Sequence, residues 1–138
     1  MIAASGVPAT VLRLPGIYGL DGPSHLGMNV AISDGRSGRP VTLRGSGRGK
    51  RNYLSVTQVA TVCEFAVHSG PLGTTYAAGQ VLSLLDQLNT ISDYFDVPLL
   101  QEDGDSESDS IVECDERIAP ILEPFPEALA AELRATRW

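Results

Sequence analysis

Apolar and polar positions fall into short extended runs separated by stretches with helical spacing. Thr10, Val11, Leu12 and Leu14 predict a strand over 9–14. RPVTLR (39–44), NYLSV (52–56), GTTYAAG (73–79) and VPLLQ (97–101) read as further strands. Residues 24–36 form a weak helical pattern, and MIAASG (1–6) reads as the end of a helix. In TQVATVCEFAVHSG (57–70), Val59, Val62, Cys63, Ala66 and Val67 share one face, and Gly70 ends the helix. Residues 83–96 give the clearest helix, with Leu84, Leu85, Leu88, Ile91 and Phe95 on one stripe. Ser83 is its predicted N-cap, with Asp86 three residues on. The last helix, FPEALAAELRATRW, turns Phe125, Leu129 and Leu133 inward and places Arg134 and Arg137 in its final turn. EDGDSESDS (102–110) is too polar to pack and predicts a solvated loop. Strands alternating with helices predict an α/β protein, one domain over 1–138 with a small mixed sheet and flanking helices.

Composition narrows the function classes. A chain of 138 residues can bury a real core, and no apolar run approaches the ~18 residues of a membrane helix. The first residues lack the basic flank and apolar core of a signal peptide. Cys63 and Cys114 form no CxxC and no Cys/His cluster, so reduced thiols, a cytoplasmic setting and no metal site are expected. Charge is divided: residues 1–60 carry seven Arg or Lys against Asp21 and Asp34, or +5. Residues 61–138 carry three Arg against fifteen acids, or −12. The basic half suggests an anionic ligand, and the acidic half argues against nucleic acid.

Two glycine clusters invite a phosphate. The strand at 9–14 runs into Gly16, Gly19 and Gly22, a Gly-x-x-Gly-x-x-Gly pattern like a dinucleotide-binding turn. Such a turn needs a helix starting at its middle glycine, whereas Pro23 follows Gly22 and Gly27 interrupts the next segment. An NADP reading would add Arg44 as the 2′-phosphate partner; the alternative is a plain strand-to-loop turn. The second cluster, GSGRGKR (45–51), falls short of a Walker loop, which needs Gly at 44 and Ser or Thr at 51 where this chain has arginines. Arg44, Arg48, Lys50 and Arg51 could form an anion clamp or simply a solvated hairpin tip.

Taken together, LRLPGIYG (12–19) and GRPVTLRGSGRGKRNYLSVTQVA (38–60) resemble the C-terminal half of the NAD-dependent epimerase/dehydratase family, the extended short-chain dehydrogenases. That family writes the first motif L-R-x-x-x-x-Y-G. The second is a strand, a Gly-x-Gly turn, Arg-Asp-Tyr/Phe and a Val-x-Asp-Val/Leu-Ala helix start. The resemblance covers residues 2 to about 96, weakens through the acidic loop and returns loosely at the last helix. It implies the C-terminal part of a Rossmann-like fold and a nucleotide-sugar ligand. NAD or NADP belongs to the complete enzyme and is not held tightly by this chain alone. The family's Tyr-x-x-x-Lys pair is absent, because Tyr18, Tyr53, Tyr76 and Tyr94 are followed four residues later by Gly22, Thr57, Gln80 and Pro98. No catalytic residue is therefore assigned.

The resemblance also implies roles. Arg51 matches the arginine that grips the substrate diphosphate, and Arg44 joins it; Ser24 and His25 fall in the substrate loop. Pro15 and Gly16 match positions at the nicotinamide end of the cofactor site. The family's aspartates are Asn52 and Gln58 here, leaving Thr57 as the expected helix cap. A substrate-binding portion of such an enzyme, completed by an N-terminal half or paired as a homodimer, competes with a freestanding module that binds an anionic metabolite or a partner protein.

Overall fold

The computed structural model describes residues 6–70, 72–105 and 108–135. The helix end expected at 1–6 and Arg137 in the final turn therefore lie outside the described residues, apart from Gly6. In chain order the elements are β1 (Thr10–Arg13), β2 (Gly16–Tyr18), α1 (Gly27–Arg36), β3 (Val41–Arg44), β4 (Lys50–Arg51), β5 (Tyr53–Ser55) and α2 (Val56–His68). They continue with β6 (Gly73–Tyr76), β7 (Leu82–Ser83), α3 (Leu84–Phe95), β8 (Leu99–Glu102), a 3-10 turn at Ala119–Ile121 and α4 (Phe125–Ala135).

The strands form short ladders of two. β1–β6, β2–β5 and β3–β8 are parallel, and β4–β7 is antiparallel. Parallel neighbours need crossovers, which α1, α2 and α3 supply. The mixed α/β architecture is as the alternation of patterns predicts. One core lies where α1, α3 and α4 meet β3, around Tyr18, Ile32, Leu43, Ile91 and Leu129. A second gathers Leu54, Val62, Ala77 and Ile118 beneath α2.

Three local outcomes differ from the sequence reading. The extended run breaks at Pro15 and resumes as β2, where Gly16 passes directly under the Tyr53 ring: a Cβ there would lie 2.6 Å from Tyr53 Cε1. The cap of α2 is Ser55, not Thr57; Ser55 Oγ accepts from Gln58 N at 3.0 Å, and Gln58 Oε1 accepts from Ser55 N at 3.2 Å. Thr57 already sits inside the first turn, where its N–H and hydroxyl both donate to Glu132 of α4, at 2.9 and 2.7 Å. On α2, Val62 is buried while Cys63 and Val67 are exposed, so the predicted apolar face is only partly covered. At α3 the reading holds: Ser83 caps Asp86 N at 3.1 Å, and Leu88 and Ile91 are buried.

Residues 103–105 and 108–111 are exposed, yet 109–112 are tied down. Lys50 N donates to Asp109 Oδ1 at 2.8 Å and Ser110 N to Lys50 O at 2.8 Å. Asn52, itself buried, closes two complementary bonds with the backbone of Val112: Nδ2 to its carbonyl at 2.7 Å, and its N–H to Oδ1 at 3.1 Å. Residues 109–112 are thereby stitched along the basic turn.

Candidate functional site

Side chains alternate along an extended backbone, so Arg51 and Tyr53 emerge on one side of β4–β5 and Asn52 on the other. Arg51 and Tyr53 line a half-open cavity of about 610 Å³. Helix α1 adds Met28, Ala31 and Asp34; Leu43, Leu84 and Leu88 supply apolar surface; Arg44 and Glu102 complete the lining. The cavity thus joins an apolar wall to a charged one that carries two arginines and two carboxylates.

The backbone at Arg51 is held firmly. It pairs with Leu82 across β4–β7, its carbonyl accepts from Gln87 Nε2 at 3.0 Å, and it bridges to Ser110. Gln87 is fully buried. The guanidinium of Arg51 has no ion-pair partner among the described residues. Arg44 does: its Nε donates to Glu102 Oε2 at 3.2 Å.

The two glycine clusters serve packing. Gly47 and Gly49 turn their carbonyls to the first N–H groups of α3, accepting from Leu85 at 2.9 Å and Leu84 at 3.0 Å. A phosphate loop would present N–H donors instead. Of the four cations expected to converge, only Arg44 and Arg51 reach the cavity; Arg48 and Lys50 are exposed outside it. In the first cluster, Gly19 N donates to Asn29 Oδ1 at 3.1 Å and Gly22 N to Gly19 O at 3.2 Å, so neither N–H is free for a pyrophosphate. A Cβ on Gly19 would meet Val56 Cγ2 at 2.8 Å and Glu132 Oε1 at 2.9 Å. Close packing accounts for these glycines, and the NADP-turn reading is set aside.

The other expected site residues lie apart. Ser24 lines an adjoining cavity of about 630 Å³, which shares Val30 and Asp34 with the first and adds Asn29, Ser33, Arg36 and Arg39. His25 is exposed and lines neither cavity. Pro15 and Gly16 stand at the β1–β2 junction, and Gly16 touches the Arg51 cavity only through the Tyr53 ring that covers it. The first cavity therefore unites Arg51 and Arg44 but not Ser24 and His25.

Tyr53 and Glu102 are cavity residues that sequence reasoning missed. The i, i+2 spacing from Arg51 could have found Tyr53; Glu102 depends on the pairing of β3 with β8, which no local signal carries. Tyr18 is unsuited to accept a proton from a ligand, because burial, reinforced by the charge of Glu132, pushes its phenol well above the usual range. Among the described residues, no group of three or more His, Cys, Asp or Glu could hold a metal ion, and no helix is long and apolar enough to cross a membrane.

No family model and no curated protein matches the sequence. Solved structures do match its fold. The UDP-N-acetylglucosamine 4-epimerase of Bacillus cereus aligns with a TM-score of 0.78 at 19% identity, over 98% of this chain and 48% of that one. The dTDP-glucose 4,6-dehydratase of Bacillus anthracis, solved in complex with NAD, aligns at 0.71 and 15% identity, over 96% of this chain and 45% of that one. The UDP-N-acetylglucosamine 4-epimerase of Methanobrevibacter ruminantium, in complex with UDP-N-acetylmuramic acid, gives 0.70 at 20% identity, over 97% and 46%. The chain spans a little under half the length of each of these structures. Its fold is a Rossmann-like α/β fold that matches about half of each of these structures.

Proposed function

We propose that this chain is the C-terminal, nucleotide-sugar-binding portion of an NAD-dependent epimerase or dehydratase. The observation that carries the reading is Arg51: a backbone-locked guanidinium, without an ion-pair partner among the described residues, on the wall of a cavity otherwise lined largely by apolar side chains. A planar, permanently charged fork can bind two phosphate oxygens in parallel, while Met28, Ala31 and Leu88 receive the less polar part of the ligand. Structural neighbours that are UDP- and dTDP-sugar enzymes support this ligand class.

On this reading the chain alone does not turn over substrate. Hydride chemistry on a sugar carbon needs bound NAD and a phenol whose pKa is lowered by a nearby cation. Tyr18 is shifted the opposite way, and no Tyr in the sequence has a Lys four residues on. The chain offers the cofactor at most an edge, at Pro15 and Gly16, since the N–H groups of Gly19 and Gly22 are already bonded. The phosphate-binding turn and the catalytic pair would come from an N-terminal half in the cytoplasm, or from the matching half in a larger polypeptide.

Titration calorimetry with UDP- and dTDP-sugars tests the site. Binding should be weak, because part of the pocket is supplied elsewhere. Arg51→Ala should lower affinity about ten-fold or more, the value of roughly 1.5–3 kcal/mol for charge-assisted hydrogen bonds. Arg51→Lys should recover only part of it, and Arg36→Ala, in an exposed pair with Asp21, should change little. Equal losses from Arg36→Ala and Arg51→Ala would mean a diffuse basic surface and end the assignment.

A further inference from the structure

The cavity holds a carboxylate where an anion site would favour a cation. Glu102 closes β8 directly opposite Arg44 in the parallel β3–β8 register. The backbone there is fixed: Gly45 N donates to Glu102 O at 3.0 Å, and Gln101 Nε2 to Gly45 O at 2.9 Å. Cross-strand neighbours at this spacing put their side chains together, and Glu102 Oε2 accepts from Arg44 Nε at 3.2 Å. Both side chains line the cavity with Arg51. Asp34, the other acid in the lining, is engaged by Arg39 at 2.6 Å, outside that cavity. The lining therefore offers a phosphate group one cation that is unpaired among the described residues, and one already shared with a carboxylate.

We propose that Glu102 is a specificity-determining residue that selects by ligand charge, admitting phosphate diesters and discriminating against nucleotides that end in a free phosphate. This rests on reading the Arg51 cavity as a nucleotide-sugar site. A nucleoside diphosphate sugar carries one negative charge on each phosphate, and Arg51 with a share of Arg44 can balance them. A free diphosphate or triphosphate carries one or two charges more at its open end, and that end meets Glu102. Because the Arg44–Glu102 pair is mostly exposed, the effect is a graded one, a factor of about two to five for each added charge.

The test compares UDP-glucose, UDP and UTP by calorimetry on the wild-type chain, Glu102→Gln and Glu127→Gln. Glutamine keeps the shape of Glu102 and an acceptor for Arg44 while removing the charge. Glu127 is exposed on α4 outside this cavity, so its variant makes the same change in net charge elsewhere. Glu102→Gln should tighten UTP and UDP several-fold more than UDP-glucose, and the gain should fade near 1 M salt, where screening reaches about 3 Å. Glu127→Gln should leave the ratios unchanged. A wild-type chain that binds none of the three would overturn the cavity reading, and this proposal with it. A chain that binds them with ratios unmoved by Glu102→Gln, or moved equally by Glu127→Gln, would overturn the role of Glu102 alone.

Discussion

Replacing Asn52 with aspartate would restore the Arg-Asp-Tyr pattern of the family that the sequence resembles, yet the structure predicts a clear loss of stability. Asn52 is 4% exposed, and it donates to the Val112 carbonyl while accepting from the Val112 N–H. A carboxylate keeps the second bond and loses the first, setting an ionised oxygen against the carbonyl. An unsatisfied buried acceptor costs about 1–3 kcal/mol, and the poorly solvated charge adds to it, so about 2–4 kcal/mol is expected at pH 7. For 138 residues that is a fall of about 7–14 °C in Tm. The pH dependence identifies the cause. Burial raises the variant's folded pKa above its unfolded value of about 3.9. A protonated carboxyl can donate to Val112, so the variant should regain stability relative to wild type as pH falls through the folded value, completely so below the unfolded one. Urea denaturation of both proteins at pH 7, 5.5 and 4, read as a difference, removes acid effects common to the two. A difference under about 0.5 kcal/mol at pH 7, or one that widens toward acid, would refute the argument.

Two further outcomes follow from the same reasoning. The Asp115 carboxyl is held far below the usual range by Arg117, at 2.6 and 2.9 Å, and by the Thr75 hydroxyl at 2.6 Å. The stability it contributes is fully present above the unfolded pKa and is lost as pH falls through the lower folded value; the wild-type advantage over Asp115→Asn should be flat from pH 7 to about 4 and shrink below, as chemical denaturation across pH would show. Strand β1 pairs only with β6 among the described residues, and Val11 on it is exposed, so the chain should self-associate through the other edge and Val11→Lys should weaken that association; wild type sedimenting as a monomer at high concentration would count against it.

Periodicity and chain chemistry alone determined the elements whose patterns are local. The stripe from Leu84 to Phe95, the Ser83 cap, the inward Phe125, Leu129 and Leu133, and the strands at 41–44 and 53–55 are all present in the structure. Arg51 is singled out by the resemblance of residues 38–60 to a family motif; the residues around it, taken alone, leave an anion clamp and a solvated hairpin tip equally open. What the sequence left undecided depends on residues far apart in the chain. Gly16 is glycine because Tyr53 lies on it, Thr57 is drawn from capping by Glu132, and Ser55 caps in its place. Only the pairing of β3 with β8 put Glu102 beside Arg44, and only the docking of 109–112 gave Asn52 its two partners. Helical and strand periods are set by backbone geometry within a few residues, so they are written locally. Side-chain clearance, ion pairing and buried hydrogen bonds arise when separate segments meet, and those contacts exist only in the folded chain.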